Sequence, residues 1–159
     1  MKGGAYTSAG LEHDEAGHVD KPLESHLMMV PKRYRKIETA QREMEKPDRY
    51  GADDATIGLI GWGSTQGVIE EAVDRVNANG IKAAAMHPKI LCPLAEEEIQ
   101  TFIDSVDYVV VPEVNYSGQF SHYLQANLNV KPIRLNKYDG LPFTPGQIVD
   151  KIEEVASHG

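Results

Sequence analysis

From residue 55 onward the sequence predicts an α/β fold, in which a mostly parallel sheet lies between two layers of helices. Four short apolar segments begin near residues 55, 81, 107 and 131, so that they recur every 24 to 26 residues. Between them, apolar side chains recur every three or four positions, which is typical of amphipathic helices. Strands that alternate with helices at this interval form right-handed βαβ crossovers. Such crossovers place the strands parallel in one sheet.

The first strand and the turn after it organise the chain. Residues 55–60 (ATIGLI) are mostly apolar, as expected of a strand buried on both faces. The turn that follows, residues 61–67 (GWGSTQG), contains three glycines, and Ser64 or Thr65 can cap the next helix. A glycine-rich turn at a helix N-terminus also suits an anion. Gly63, Ser64 and Thr65 are therefore candidate anion-binding residues, and simple helix capping is the equally open alternative.

The remaining elements continue the alternation of strands and helices. The further strands are predicted at residues 81–86, 108–111 and 131–135. The inward-facing side chains of the helices are predicted to be Val68, Ile69, Ala72, Val73 and Val76, then Ala95, Ile99, Phe102, Ile103 and Val106, then Phe120, Tyr123, Leu124 and Leu128, and finally Ile148, Val149, Ile152 and Val155. The last helix is the best marked, because Thr144 and Gln147 match a capping box around Pro145.

Residues 1–30 are predicted to form an extended segment that contacts neighbouring domains or subunits. The segment is polar, contains several glycines and has almost no apolar periodicity, so it cannot bury enough area to order itself on this domain's core. Its carboxylates and imidazoles have no regular spacing and no cysteine beside them. We therefore predict no metal site there.

Residues 31–54 are predicted to be a helix followed by a linker. Pro31 suits the first turn of the helix, and Tyr34 and Ile37 continue a helical period. Residues 32–36 contain four cations, which at a helix N-terminus would oppose the helix dipole. That conflict indicates an acidic surface or a phosphate nearby, although a solvated basic face is the simpler interpretation. Residues 47–54 (PDRYGADD) are predicted to be the linker.

Composition and charge exclude several classes of protein. The chain has 159 residues, of which 41% are hydrophobic and 25% charged, as in ordinary globular proteins. Its formal net charge of -8 argues against binding nucleic acid. No apolar segment approaches the length of a membrane span. A single cysteine excludes an internal disulfide, and a cytoplasmic location is predicted.

The motifs of common cofactor sites are incomplete in this sequence. The glycine turn has its third glycine one residue too late for a dinucleotide fingerprint, and the sequence has no phosphate-binding P-loop or nucleophile elbow. His87 and Glu113 follow two predicted strands and can act as acid and base only if they converge. The alternative for His87 is a hydrogen bond to backbone. Cys92 is predicted to be a small buried apolar residue, and no catalytic residue is predicted.

Four stretches together resemble one family. They are residues 10–15 (GLEHDE), Gly63 to Thr65, residues 111–115 (VPEVN) and residues 135–144 (LNKYDGLPFT). In order and spacing they are similar to the C-terminal part of the alpha subunit of 2-oxoacid:ferredoxin oxidoreductases, in particular the 2-oxoglutarate type. The resemblance implies a transketolase C-terminal-like domain over residues 55–159. Its strands would run in the spatial order second, first, third, fourth, with an added antiparallel edge strand.

The resemblance also implies the chemistry of a larger enzyme. That enzyme would oxidatively decarboxylate a 2-oxoacid with coenzyme A, using thiamine diphosphate and iron–sulfur clusters and passing electrons to ferredoxin. The implied partners are the other domain of the alpha subunit, the beta subunit and, through the complex, ferredoxin. The thiamine signature and cluster cysteines are absent from this sequence. We therefore expect a piece of a longer subunit that binds none of these cofactors, has a structural role in assembly and is inactive alone.

The resemblance adds further candidate residues. If residues 1–30 follow a pyrimidine-binding domain, Glu12 and His13 would point toward the active-site side. Asn115 and Ser117, after the third strand, are further ligand-binding candidates. The sequence leaves one alternative from another class, a free-standing flavodoxin-like module that binds a phosphorylated ligand. The ligand would lie at two loops, residues 61–65 and residues 117–118.

Overall fold

The computed structural model describes residue 4 and residues 9–158 of the chain. The chain divides into two compact units, Met1–Met44 and Glu45–Gly159. Residues 1–3 and 5–8 of the predicted interdomain segment lie outside the described residues.

The first unit contains one long helix, α1 (Leu23–Glu43). Its start at Leu23 corrects the prediction that the helix begins at Pro31, which instead lies in its interior. A proline inside a helix removes one backbone hydrogen bond, but it does not end a helix whose other contacts hold it. The four cations of residues 32–36 therefore lie in the middle of α1, away from the positive end of its dipole.

Residues 12–20 fold back on themselves ahead of α1, and we call them the N-terminal hook. The amide of Asp20 donates to the Glu12 carbonyl at 3.0 Å, and that of Asp14 donates to the His18 carbonyl at 2.9 Å. His13 and Val19 pair as an antiparallel bridge. This segment was predicted to be extended, and it forms a compact turn beside α1 instead.

The second unit is built on one five-stranded sheet in the order β1-β3-β2-β4-β5. The strands are β1 (Arg49–Gly51), β2 (Ile57–Ile60), β3 (Ala83–Met86), β4 (Tyr108–Glu113) and β5 (Ile133–Asn136). Strands β3, β2, β4 and β5 are parallel, and β1 pairs antiparallel with β3. The order that the family resemblance implied is thus confirmed, edge strand included.

Strand β1 lies within the segment that was predicted to be a linker, and that prediction is wrong. Its three residues pair with Ala84, Ala85 and Met86 through the backbone. A short edge strand that is mostly exposed needs no alternation of apolar side chains, so it leaves no pattern in the sequence.

Three helices connect strands of the second unit, and a fourth follows β5. They are α2 (Gln66–Ala78), α3 (Glu96–Asp104), α4 (Gln119–Asn127) and α5 (Pro145–Ser157), and α2 is preceded by one 3₁₀ turn, Gly63–Thr65. The predicted capping box of α5 is confirmed: the Thr144 hydroxyl accepts from the Gln147 amide at 3.4 Å, and the Gln147 side chain accepts from the Thr144 amide at 3.0 Å. No helix among the described residues is long and apolar enough to cross a membrane.

The core lies on both faces of the sheet. Strands β2 and β3 are buried along their whole length, as the apolar segments predicted. One core cluster joins Leu59 of β2 with Val73 of α2 and Ile152 of α5. On β2, Gly58 leaves room for α3, because a Cβ there would lie 2.9 Å from the Phe102 ring. This arrangement confirms the predicted three-layer α/β/α fold.

Candidate functional site

The carboxyl ends of the four parallel strands bring the predicted site residues to one edge of the sheet. The 3₁₀ turn follows β2, His87 follows β3, residues 114–118 follow β4, and Lys137 follows β5. Because β2 lies between β3 and β4, the glycine turn occupies the middle of this edge. Ligands of open parallel sheets bind at such an edge.

Close packing requires glycine at the start of the turn after β2. A Cβ at Gly61 would lie 2.2 Å from Cδ1 of Ile69 and 2.7 Å from Oγ1 of Thr65. Gly63 has a φ of 61°, in the left-handed region that favours glycine. The turn is therefore shaped by packing against α2, whatever ligand it meets.

The Thr65 hydroxyl holds this turn together from inside. It donates to the Trp62 carbonyl at 2.9 Å and accepts from the Trp62 amide at 3.2 Å. No side chain caps α2, which corrects the suggestion that Ser64 or Thr65 does so. The predicted anion site at Gly63, Ser64 and Thr65 stays a prediction. An anion there would have to rely on backbone amides and the exposed Ser64, because the Thr65 proton is already donated.

His87 is bound to the same turn. Its Nε2 lies 3.2 Å from the Gly63 carbonyl, which can only accept, so Nε2 carries the proton. Burial lowers the pKa of His87 below its ordinary value, which favours the neutral imidazole at neutral pH. The alternative interpretation of His87, a strand-end histidine bonded to backbone, is therefore the one that the structure shows.

Glu113 ends β4 as a buried carboxylate with four hydrogen-bond donors. Oε1 accepts from the amide and the hydroxyl of Ser121, both at 2.8 Å. Oε2 accepts from the Phe120 amide at 2.7 Å and from Nδ2 of Asn115 at 2.8 Å. Burial alone would raise the pKa of Glu113, but these donors together outweigh it and the pKa is lowered.

The carboxylate of Glu113 therefore serves the structure of the loop. It satisfies amides in the first turn of α4, a helix that follows a left-handed Gly118 and has no side-chain cap at that residue. A base needs an oxygen that can reach a substrate proton, and both oxygens here are occupied. Glu113 is accordingly unavailable as the base of an acid–base pair with His87. The charge-assisted bonds explain why a lone buried glutamate is tolerated.

Asn115 completes the same loop. Its Oδ1 accepts from the Gly118 amide at 2.6 Å and from the Gln119 amide at 3.3 Å, while its Nδ2 donates to Glu113. Ser117 is exposed at the tip. As ligand-binding candidates Asn115 and Ser117 stay predictions, and for Asn115 the role that the geometry shows is to shape the loop.

Exposed aromatic rings border this edge. Tyr116 and Tyr138 contact each other edge to face, with ring centroids 4.9 Å apart, and Asn136 donates to the Tyr116 carbonyl at 2.9 Å. Trp62 lies against Phe120, with centroids 6.2 Å apart. Tyr138 could not be found from the sequence, because a tyrosine in a polar loop carries no periodic signal.

Cys92 is exposed, which corrects its prediction as a buried apolar residue. The loop that contains it buries Leu94 and Ala95 instead. Which residues of this loop are buried depends on which of them contact the core. A short irregular segment has no periodicity from which those residues could be predicted.

In the first unit, Glu12 is held by side chains of α1. Its two oxygens accept from the two terminal nitrogens of Arg33 at 2.7 Å each, and His26 lies 3.0 Å away. The hydrogen bonds from Arg33, followed by that of His26, lower the pKa of Glu12 to about 2. Nδ1 of His13 lies 2.9 Å from the Asp14 carbonyl. Within the described residues, no group of three or more histidine, cysteine, aspartate or glutamate side chains is arranged to hold a metal ion.

The fold and the sequence both match known proteins. A transketolase from Pichia stipitis shares the fold alone, with a TM-score of 0.50 and 17% identity over 69% of this chain and 18% of the transketolase chain. Residues 55–150 match the family model described as pyruvate:ferredoxin oxidoreductase core domain II. The chain belongs to that family.

The relatives within the family are oxidoreductase subunits. The chain is 31% identical over 156 residues to the alpha subunit of 2-oxoacid:ferredoxin oxidoreductase 1 of Aeropyrum pernix, covering 94% of this chain and 24% of that subunit. It also resembles 2-oxoglutarate:ferredoxin oxidoreductase from Magnetococcus marinus, a structure with 2-oxoglutarate, coenzyme A and succinyl-CoA bound. That match has a TM-score of 0.81 and 38% identity over 94% of this chain and 26% of the other. The chain thus spans about a quarter of the length of these relatives.

These matches confirm the family resemblance that the sequence carried. They do not support the alternative of a free-standing flavodoxin-like module, because the relatives are subunits of larger oxidoreductases.

Proposed function

We propose that this chain is the core domain II part of the alpha subunit of a 2-oxoacid:ferredoxin oxidoreductase that acts on 2-oxoglutarate. The assignment of 2-oxoglutarate as the substrate rests on one observation. Almost the whole chain is similar to an enzyme that binds 2-oxoglutarate, coenzyme A and succinyl-CoA. The reaction would be oxidative decarboxylation of the 2-oxoacid to its acyl-CoA, with electron transfer to ferredoxin.

Within that enzyme the role of this domain is structural. At the carboxyl edge of the sheet, the carboxylate of Glu113 is saturated by protein donors and the ring of His87 is bound to the glycine turn. The carboxylate of Glu113 is therefore not free to accept a substrate proton, and the Nε2 proton of His87 is held by the Gly63 carbonyl. These contacts support a domain that holds other parts of the enzyme in place.

The cofactors that the family implies do not fit residues of this chain. An iron–sulfur cluster needs several thiolates, and Cys92 is the single cysteine of the sequence. No complete thiamine diphosphate signature is present either. Both groups would be held by other parts of the oxidoreductase, so calorimetry should show no tight binding of thiamine diphosphate to the isolated chain.

The partners in this proposal are the other domain of the alpha subunit, the beta subunit and, through the complex, ferredoxin. The proposal keeps Glu12 and His13 of the hook as residues that face the active-site side of the neighbouring domain. It keeps as ligand- or anion-binding candidates the residues at the edge of the sheet: Gly63, Ser64, Thr65, Asn115 and Ser117. A cytoplasmic location, without binding of membrane or nucleic acid, belongs to it as well.

The experiment is to assemble the oxidoreductase with this chain in its alpha subunit and to measure reduction of ferredoxin. We expect reduction that requires both 2-oxoglutarate and coenzyme A, a much lower rate with pyruvate, and none with the isolated chain. Turnover by the isolated chain would overturn the structural role. An assembled enzyme that prefers pyruvate would contradict the assignment of 2-oxoglutarate as its substrate.

A further inference from the structure

A cavity of about 160 Å³ lies in the second unit, beside the edge strand β1 and the start of α2. Tyr50 of β1 pairs with Ala85 of β3, so their side chains share one face of the sheet, and Ala85 belongs to the same core cluster as Ile69 of α2. All three residues line the cavity and give it an apolar floor. A space of about 150 Å³ can hold a benzene molecule, so this one has room for a small organic group.

Polar side chains line the rest of the cavity. Side chains two positions apart along a strand point to the same face. At the strand ends, Asp48 lies two residues before Tyr50 and His87 two residues after Ala85, and both line the cavity. Glu70 lines it from the second turn of α2. Two carboxylates and one imidazole therefore surround the apolar floor.

The carboxylates at this cavity have neutral partners only. Glu70 accepts from the side-chain amide of Gln66 at 2.8 Å, and Asp74, one turn further along α2, accepts from the Tyr50 hydroxyl at 2.9 Å. Among the residues that the structure describes, neither of them forms an ion pair, and nor does Asp48. Like charges one helical turn apart repel each other. A cation in the cavity would relieve that repulsion.

The negative charge acts on the groups that line the cavity. The hydrogen bond to Asp74, burial and the charges of Asp74 and Glu70 together raise the pKa of Tyr50. Burial lowers the pKa of His87, although the charge of Glu70 opposes that change. The imidazole is thus neutral at neutral pH and does not repel a cation.

The cations at the rim of the cavity are engaged with other groups. They are Lys46, which pairs with Glu98 at 2.7 Å, Lys89, which pairs with Glu45 at 2.9 Å, and Arg49, which donates to the carbonyls of Ala52 and Asp53 and lies over the Phe102 ring. Arg49 also alternates with Tyr50 along β1, so it belongs to the other face of the sheet. Asp48 and Glu70 are therefore left to a cation from outside the domain.

We propose that this cavity binds a guanidinium group, held by the carboxylates of Glu70 and Asp48 and by the ring of Tyr50. A guanidinium is planar, donates two parallel hydrogen bonds to one carboxylate and stacks on an aromatic ring. An ammonium is a compact point charge and uses the ring less well. Within the described residues no group is arranged to hold a metal ion, which favours an organic cation. The guanidinium belongs either to a free small molecule or to an arginine side chain of a neighbouring part of the oxidoreductase.

The binding can be measured by titrating the chain with methylguanidinium chloride at constant ionic strength. We expect saturable NMR shifts of the Ile69 methyl group and of the Tyr50 and His87 amides, with a Kd in the millimolar range. Propylammonium chloride should bind at least threefold more weakly, and equal binding would overturn the choice of guanidinium. A titration without saturable shifts at these three residues would overturn the site.

Two variants test the role of the carboxylate. Glu70→Gln should weaken binding of methylguanidinium at least fivefold. The matched control is Glu71→Gln, which removes the next carboxylate of α2, one that is exposed and paired with Arg75, and it should bind like the wild type. Dispersed amide spectra confirm that both variants fold. Equal affinities of Glu70→Gln and the wild type would overturn the inference.

The same titration in the assembled oxidoreductase distinguishes the two sources of the guanidinium. If the labelled Ile69 methyl still responds, the cavity is open to a free molecule. If it does not respond and Glu70→Gln lowers recovery of the assembly, an arginine of a neighbouring part occupies the cavity. No response together with normal assembly of Glu70→Gln would overturn the inference. If the chain enters no oxidoreductase, the proposed function fails, and the titration of the free chain still decides whether this site exists.

Discussion

Two glutamates with lowered pKa values, Glu113 and Glu12, stabilise two different regions of the molecule in different ways. Glu113 is 1% exposed and receives its hydrogen bonds from backbone amides and neutral side chains of the second unit. Glu12, in the first unit, is paired with an arginine and a histidine near solvent. A buried carboxylate with four donors cannot lose its charge cheaply, while an ion pair near water contributes little to stability. The comparison predicts a large effect at Glu113 and a small, local one at Glu12.

The largest expected effect is that of Glu113→Gln. In the glutamine, an NH2 group replaces one of the two carboxylate oxygens, and this group donates a hydrogen bond where the oxygen accepted one. At least one buried amide of α4 would therefore lose its acceptor. We expect the free energy of unfolding to fall by about 2–4 kcal/mol in urea titrations. The matched control is Glu97→Gln on the exposed first turn of α3, where the change should stay within about 1 kcal/mol. Equal effects of the two substitutions would contradict the role of Glu113.

The next effect is that of Gly61→Ala in the turn after β2. The added Cβ would overlap Cδ1 of Ile69 and Oγ1 of Thr65, so the turn or α2 must shift. We expect a loss of about 1–3 kcal/mol in the same titration. Gly67→Ala is the control, because a Cβ there meets nothing within 4 Å, and alanine in a helix is favoured by up to about 1 kcal/mol. A stable Gly61→Ala variant would mean that the turn is looser than the contacts indicate.

A smaller and more local effect is expected for Glu12→Gln. The hook should open more often, so amide hydrogen exchange over residues 13–20 should become several-fold faster. Unfolding of the sheet should not change, because the described hydrogen-bond partners of Glu12 belong to the first unit. Glu43→Gln, at the exposed end of α1, is the control and should leave exchange in the hook as it is. Unchanged exchange in Glu12→Gln would show that the backbone bonds of the hook suffice without the ion pair.

The same ion pair predicts how the hook responds to pH. The folded pKa of Glu12 is about 2, below its ordinary value of 4.5, so the pair stabilises the hook fully above the ordinary value. That contribution is lost as the pH falls from about 4.5 to 2. Chemical shifts of the hook amides should therefore change over this range in the wild type. In Glu12→Gln most of that change should be absent.

The parallel sheet could be predicted from sequence because each of its elements carries a period. The buried segments of β2 and β3 and the apolar face of α5 are repeated patterns that packing enforces. Strand β1 and the start of α1 could not be predicted. The former is a short, mostly exposed edge strand without apolar alternation, and Pro31 is a helix-start signal that here lies inside a helix. Sequence patterns within a segment do not predict its structure where contacts with distant segments determine that structure.

The sequence predicted where the candidate site lies, but it did not predict what each residue of the site does. The loops at the carboxyl edge follow from the βαβ topology. The role of Glu113 depends on amides of Phe120 and Ser121, which approach it only when α4 folds back beside β4. A glutamate at a strand end looks the same in sequence whether it caps a helix or moves a proton.

The most direct test of the central claim, that this edge serves structure and the chemistry lies elsewhere, is the turnover of an oxidoreductase that carries His87→Gln. The variant keeps a donor for the Gly63 carbonyl and removes the imidazole that could act as an acid or a base. We predict a kcat within twofold of the wild type with 2-oxoglutarate and coenzyme A, and an unchanged pH profile. A tenfold or greater loss of kcat, with assembly intact, would contradict the claim.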